Sequence, residues 1–475
     1  MVNKRVLIIG AGNGGKQLLR ELTKHHTQDF QIIGFVDDDK RKHKKIIKDV
    51  RVIGPTQDLE KYIDQHKINL VFIAFPSVHG SVIRSIVARC NKTGVECRII
   101  PKMLEIIQNK VSLNLVRPVA IEDLVGRPII KSDQAIFETF LKNKKILITG
   151  AAGSIGSELM RQVSEFSIKR LIAFDSWETG LFDLEQELKS KSHLEKNYII
   201  GNVQDVNKLE WTYKKFKPDV VFHAAAYKHV HIMNLNPEEA IKNNIVGTNN
   251  VASLAGKYDV KKFIFISTDK AVHPLGIMGA SKAYGEALIM HYQNKFKTRY
   301  SAVRFGNVLG SYGSVVPLFK KQIAAGGPVT VTHPDMTRYF MTIPEAVQLI
   351  LHAATLGKGG EIHVLDMGEP MKIMDLAKTM ITLSGLEIGK DINIEITGIR
   401  PGEKLNEQLF TEHESLMKTS HNLIFETKNI PTLKDEELIT SYKKLVKYAT
   451  AQARLSLVKE LKRIFPTLKE HAAVS

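Results

Sequence analysis

The chain has 475 residues, 43% of them hydrophobic and 25% charged, which is a globular composition long enough for about two to four domains. No apolar run approaches the ~18 residues of a membrane span, no secretory signal opens the sequence, and two cysteines, Cys90 and Cys97, exclude a disulfide framework and read as buried thiols in a reducing cytoplasm. A net charge of +17 suits nucleic acid, a membrane surface or anionic ligands, but no helix-turn-helix, zinc-finger or RNA-recognition signature is present.

The basic residues are dispersed apart from one run, Lys40-Arg-Lys-His-Lys-Lys45. The surplus therefore reads as solvated surface, with peripheral association at the inner face of an anionic membrane as its expected use.

In chain order, Arg5 to Ile9 reads as a strand, followed by Gly10-Ala-Gly12-Asn-Gly-Gly15 and a helix from Lys16. Gly10, Gly12 and Gly15 fit G-x-G-x-x-G, the turn that brings backbone N–H groups to a pyrophosphate at a helix N-terminus. A second strand, Gln31 to Val36, ends in Asp37, at the right distance for a ribose contact. Val52 to Thr56, Asn69 to Ala74 and Glu96 to Ile100 continue the strands, with a helix from His79 to Thr93. This predicts a Rossmann-like domain over 1–112, with Gly10, Gly12, Gly15 and Asp37 as a second nucleotide site whose ligand stays open.

Residues 113–141 read as an ordered connector, because Leu115, Val119, Ile121, Leu124 and Val125 want burial; a helix from Asp133 to Leu141 ends it. From 142 to 475 the pattern starts again. Lys145 to Thr149 is a strand, and Gly150-Ala-Ala-Gly153-Ser154-Ile155-Gly156 opens a helix at G-x-x-G-x-x-G spacing. The next strand, Arg170 to Asp175, ends in an acid that can accept from both ribose hydroxyls and would repel a 2′-phosphate, which favours NAD over NADP. Val220 to Ala226 is a strand running into the small-residue turn Ala224, Ala225, Ala226, where a cofactor can lie close. The fold class is thus α/β, two doubly wound parallel sheets, to the second of which the resemblance described below adds a small C-terminal substrate-binding part.

Lys262 to Ser267 reads as a buried strand and runs into a polar trio, Thr268, Asp269 and Lys270. A helix begins near Met278 and puts Met278 and Lys282 on one face. Chemistry in an open α/β sheet sits just beyond the carboxyl end of such a strand. His223, His229, His231 and His273 read as polar loop histidines, since His229-x-His231 supplies at most two metal ligands; no metal is expected.

The region resembles the extended short-chain dehydrogenases/reductases, which carry Tyr-x-x-x-Lys where this chain has Met278-Gly-Ala-Ser-Lys282. A thioether takes no proton at neutral pH. Met278 together with Ser267-Thr-Asp-Lys270 is similar to the UDP-N-acetylglucosamine 4,6-dehydratases of bacterial polysaccharide and glycan synthesis. Ile121-Glu-Asp-Leu-Val-Gly-Arg127 resembles that family's segment before the catalytic domain. Long members carry transmembrane helices before a Rossmann-like domain; this chain starts at the Rossmann strand and reads as a soluble short form or a truncated piece.

The resemblance implies the rest of the site. Asp205 and Val206 match the adenine-side contact, and Asn244 lies on the helix that steadies the small-residue turn. Asn307, Ser314, Pro317, Lys320, Thr330, Arg338, Arg400 and Glu403 fall in the nucleotide-sugar segments. Arg338 and Arg400 suit a diphosphate, because guanidinium forks bind phosphate oxygens bidentately, and Glu403 suits uridine ribose hydroxyls. Thr268 is expected to hydrogen-bond the sugar O4, Asp269 to act as acid at O6 if burial raises its pKa, Lys270 to act as base if desolvation or a cationic neighbour lowers its pKa, and Lys282 to orient the nicotinamide ribose.

The implied function is NAD-dependent 4,6-dehydration of a UDP-sugar, UDP-N-acetylglucosamine favoured, with NAD tightly bound and recycled because there is no net redox. A homo-oligomer in the cytoplasm that binds no nucleic acid is expected. A nucleotide-sugar 4-epimerase shares nearly every motif but normally needs the Tyr. A non-catalytic NAD-sensing regulator would need no sugar-side motif.

Overall fold

The computed structural model describes residues 4–26, 28–75, 80–100, 116–125, 134–191, 194–428 and 433–469. It divides into two compact units: Met1–Lys131 with Leu318–Val329 and Asp375–Glu395, and Ser132–Pro317 with Thr330–Met374 and Ile396–Ser475. The linear division at residues 112 and 141 does not contain the two later segments of the first unit. His79, Leu115 and Asp133, expected in a helix, the connector and a second helix, lie outside the described residues.

The first unit is built on strands β1 (Lys4–Ile9), β2 (Phe30–Val36), β3 (Ile46–Ile47), β4 (Val50–Gly54), β5 (Leu70–Ile73), β6 (Glu96–Ile99) and β7 (Arg117–Pro118). They form one sheet in the order β3-β4-β2-β1-β5-β6-β7, parallel from β4 to β6. Val6 to Ile9 and Leu70 to Ile73 are fully buried, as a strand covered on both faces requires. After β1 the chain turns at Gly10, φ +104°, into helix α1 (Asn13–His25). The neighbours of β1 lie on opposite sides of it, so this glycine turn sits at a topological switch point.

The second unit repeats the plan. Its sheet contains β8 (Lys145–Thr149), β9 (Arg170–Asp175), β10 (Glu195–Ile200), β11 (Val220–His223), β12 (Lys262–Ile266), β13 (Arg299–Arg304), β14 (Glu361–Leu365), β15 (Ser415–Lys418) and β16 (Ile424–Lys428). The order is β10-β9-β8-β11-β12-β13-β14-β16-β15; the first seven strands are parallel and the last two are antiparallel additions. The switch point falls between β8 and β11, and helix α2 (Ser154–Val163) starts there behind the second glycine turn.

Helix α3 (Ile277–Lys295) carries Met278 and Lys282 and is buried along most of its length. It has no polar face for solvent because helices α4 (Asp435–Thr450) and α5 (Arg454–Ile464) cover it. Tyr284 and Leu288 pack in one apolar cluster with Leu438, Leu445, Leu457 and Leu461. The strand breaks off early: β13 ends at Arg304, and Asn307–Val308 pairs separately with Phe340–Met341. The break lets Phe305 O accept from Asp269 N at 3.1 Å, which ties the polar trio to the neighbouring strand.

Candidate functional site

The glycine turn after β8 is a cradle that side chains would fill. A Cβ on Gly150 would stand 2.5 Å from Ala225 N, and one on Gly156 would collide with Gly150 O. Gly150 also has φ +69°, which favours glycine. Gly153 meets only Gly150 O, at 3.3 Å, and caps α2, so the first N–H groups of α2 follow a turn with open room. Ala224 to Ala226 line the opposite wall through the Gly150 contact and are partly exposed.

Asp175 closes this turn: its Oδ2 accepts from Ala152 N at 2.9 Å and its Oδ1 from Trp177 N at 3.0 Å. A carboxylate has about four acceptor positions, so both oxygens can still take a ribose hydroxyl. Asn244 clamps the turn after β11, accepting from Tyr227 N at 2.8 Å and donating to Tyr227 O and Ser281 Oγ, each at 2.9 Å. Asp205 caps the helix Val206–Phe216 by accepting from Lys208 N at 3.0 Å, and Val206 is exposed beside it. These residues fit a dinucleotide: a tight turn, a helix N-terminus behind it, an acid at the end of the second strand and a narrow small-residue wall.

Lys282 lies 3.9 Å above the Phe265 ring centroid, and burial pulls its ammonium down to about 7 against the raising effect of Glu286. His223 is buried between Thr149 Oγ1 at 2.7 Å and Thr248 Oγ1 at 3.0 Å. Burial, helped by Lys282, pushes it down to about 3, so it is a neutral structural link. Among the described residues no three His, Cys, Asp or Glu side chains converge as metal ligands.

The trio sits at the end of β12 in one hydrogen-bonded unit. Thr268 Oγ1 donates to Asp269 Oδ1 at 2.9 Å, and Lys270 Nζ donates to the same oxygen at 2.9 Å and to Asn307 Oδ1 at 3.0 Å. Asp269 is fully buried, and its Oδ2 has no hydrogen-bond partner among the described residues. The expectation that Lys270 is lowered does not hold in this arrangement. Burial alone would lower it, but Asp269 and Glu407, at 3.6 Å, overcome that and raise it above its ordinary value.

Glu407 escaped the sequence reading. It is buried, 3.6 Å from Lys270, 3.7 Å from Lys404 and 3.9 Å from Arg338. Only its place in the Pro401-Gly-Glu-Lys-Leu-Asn-Glu407 run could have drawn attention to it. A small pocket opens here, lined by Val230, Lys270, Gly276, Gly279, Lys404 and Glu407. Arg338 is buried and donates to Thr337 O and Leu405 O at 2.7 and 3.2 Å, which braces the chain leading to Glu407. Arg400 is exposed, while Glu403 Oε2 and Ser314 Oγ are buried without a hydrogen-bond partner among the described residues. Buried polar atoms of that kind are normally satisfied, and hydroxyl groups of a ligand would satisfy them. Pro317 and Lys320 lie on the helix Val315–Ala324, with Lys320 in a segment of the first unit; Thr330 lies on the strand Val329–Val331.

Met278 and Tyr284 contribute no proton acceptor. The Met278 side chain belongs to the apolar cluster with Met233, Ile241 and Tyr284. The Tyr284 hydroxyl is consumed by Leu438 O at 2.6 Å and Ser441 Oγ at 2.7 Å, and burial raises its pKa.

In the first unit, Gly10 and Gly15 approach as Gly150 and Gly156 do. Asp37 accepts from Ala11 N at 2.8 Å, as Asp175 does from Ala152. The difference is Lys42, whose ammonium lies 2.9 Å from Asp37 Oδ2. Among the described residues no helix is long and apolar enough to cross a membrane.

The family model described as polysaccharide biosynthesis protein matches residues 146–429, and one described as CoA-binding domain matches residues 2–101. The probable polysaccharide biosynthesis protein EpsC of Bacillus subtilis is 46% identical over 87% of this chain and 69% of its own length. The inverting UDP-N-acetylglucosamine 4,6-dehydratase of Campylobacter jejuni is 36% identical over 57% of this chain and 79% of its own. A UDP-glucose 4-epimerase of Rickettsia bellii stands at 37% over the same shares. The solved structure of Pen from Bacillus thuringiensis has a TM-score of 0.57 at 34% identity, covering 62% of this chain and 90% of that one. Matched by that first model across both the dinucleotide turn and the Thr268-Asp-Lys270 trio, the chain belongs to the polysaccharide biosynthesis protein family.

Proposed function

We propose that the second unit catalyses NAD-dependent 4,6-dehydration of a UDP-N-acetylhexosamine, UDP-N-acetylglucosamine favoured, in surface-polysaccharide or glycan synthesis. The observation that carries this reading is the Thr268–Asp269–Lys270 unit around the buried Asp269, an acid–base pair joined at 2.9 Å. Elimination of water needs such a pair, whereas 4-epimerisation needs only a base at O4. Relatives at nearly equal identity carry dehydratase and epimerase names, and the dehydratase reading is supported by the trio and the apolar Met278.

Bound NAD would supply a reversible hydride acceptor, taking the C4 hydrogen and returning it at C6. The chain's own residues move the protons. A sugar O4 hydroxyl donating to Thr268 Oγ1 loses its proton along the Thr268–Asp269 hydrogen bond, and Asp269 becomes a neutral acid. Lys270 acts through its minor neutral form, since its neighbours favour the ammonium, and takes the C5 proton; Asp269 gives its proton to the C6 hydroxyl, and water leaves. Lys270 then returns a proton to C5. The O4 proton thus leaves in the water, and both side chains end as they began. Arg338, Arg400 and Lys404 supply positive charge for the diphosphate, with Glu403 for the uridine ribose. Gly10, Gly12, Gly15 and Asp37 are read as a second nucleotide site, in which Lys42 competes with a ribose for Asp37.

The test is incubation of the purified protein with UDP-N-acetylglucosamine in D₂O without added cofactor, followed by NMR and mass spectrometry. The expected product is lighter by one water and carries a C6 methyl and deuterium at C5. A 4-epimer without water loss would overturn the dehydratase reading, and unchanged substrate even with added NAD would overturn the sugar assignment.

Gly306 offers a second check. An added methyl there would stand 2.9 Å from Tyr339 Cβ and 3.3 Å from Asp269 Oδ2. Gly306→Ala is expected to lower kcat by about 10- to 100-fold while costing about 1–3 kcal/mol of stability in urea melts. An unchanged kcat would show that the Asp269 carboxylate tolerates displacement.

A further inference from the structure

The loop Leu309 to Ser314 meets the segments that follow three neighbouring strands of the second unit. Its root is fixed by Leu309 N donating to Met341 O at 2.9 Å. From there Tyr312 N donates to Ser154 Oγ at 3.2 Å, at the start of α2 behind β8. The Tyr312 ring stands edge-on to Trp177, centroids 5.5 Å apart at 88°, two residues beyond Asp175 and the end of β9. Gly313 lies so close to His229, beyond the small-residue turn that follows β11, that a Cβ would stand 2.5 Å from its ring. The strands β9, β8 and β11 are adjacent in the sheet, and the dinucleotide cradle runs across their carboxyl ends. A loop that meets the segments after all three crosses the mouth of that groove.

Two features show that the loop is built to lie there. Gly310 and Gly313 flank the crossing with φ of +71° and +67°, so the chain can turn sharply on both sides of Tyr312. Tyr312 is 65% exposed and Trp177 44% exposed, so neither ring is held by the core and their contact bridges the groove.

We propose that residues 310–314 form a clasp over the dinucleotide groove and that Tyr312, closing on Trp177 and Ser154, retains NAD through successive turnovers. This rests on the NAD-dependent reading above. A dehydration without net redox has no need to exchange its cofactor, so a closed groove costs it nothing in turnover.

The full chain is purified, its bound nicotinamide nucleotide is measured after gel filtration, and release is timed by chasing with excess labelled NAD. Wild type is expected to keep bound NAD. Tyr312→Ala and Trp177→Ala are each expected to release it roughly two- to tenfold faster, the range of an aromatic pair. The double variant should be little faster than either single one, because both remove one contact. Tyr312→Phe keeps the ring and should release at the wild-type rate. Thermal melts check folding, which an exposed side chain should leave intact. Wild type that retains NAD while Tyr312→Ala releases it equally slowly would overturn the clasp alone. Wild type that neither retains nor binds NAD would overturn the cofactor reading and the clasp with it.

Discussion

Lys270→Met is expected to abolish both product formation and deuterium entry at C5 of the 4-keto product supplied in D₂O, whereas Asp269→Asn should block turnover of the UDP-sugar yet still exchange C5–H of that product. The roles divide because the two groups act on different atoms: the amine at C5, the carboxyl at O4 and then at the C6 oxygen, so the 4-keto product, already oxidised at C4, isolates the amine. Each loss should amount to about 10²–10⁴ in kcat, the usual range for removing a positioned acid or base. The pH dependence separates them further. Asp269 and Glu407 hold the Lys270 ammonium above its ordinary value although burial opposes them. The Asp269→Asn variant removes the nearer of these charges, so Lys270 loses its proton at lower pH. C5 exchange should therefore reach its plateau at lower pH in Asp269→Asn than in wild type. NMR of the sugar C5 position across a pH series measures this directly. Exchange that persists in Lys270→Met would remove Lys270 as the base, and an unmoved plateau would show that Asp269 does not set its proton affinity.

The sequence makes the frame of this site readable and hides its electrostatics. Lys145–Thr149 and Arg170–Asp175 are found at their expected bounds, because a run of apolar residues buried on both faces and cut by a glycine turn or an acid leaves little freedom. The trio was visible for the same reason, as polar residues at the end of such a run. The neighbours of Lys270 were not, since Glu407 comes from a distant loop and its effect depends on a 3.6 Å approach. The fate of the Tyr284 hydroxyl was hidden likewise. Spacing said only that it left the Met278 face, while its partners, Leu438 O and Ser441, belong to α4. Leu318–Val329 and Asp375–Glu395 group with the first unit without a change of composition to mark them.

Behind the trio lies the group whose loss should damage the fold most. Arg304, at the end of β13, donates to Glu286 Oε1 and Oε2 at 2.7 Å each and to both oxygens of Glu414 at 2.9 Å. All three side chains are buried. Ser267 Oγ adds a bond to Glu286 at 2.6 Å, next to Thr268 in the chain, and Glu286 lies one helical turn beyond Lys282 on α3. One guanidinium therefore holds two carboxylates and joins the strand, the helix and the loop that carry the site. Arg304→Met would leave both carboxylates buried with no cation between them. The expected cost is about 3–5 kcal/mol, the range for breaking a buried ion pair, against well under that for Glu414→Gln, which leaves the Arg304–Glu286 pair whole. Urea unfolding of the two variants gives the comparison. Adding Glu286→Gln and Glu414→Gln to Arg304→Met should restore part of the loss, because the penalty comes from stranded charge and not from missing volume. If the triple variant is no more stable than Arg304→Met, the triad acts through packing and its charges are incidental.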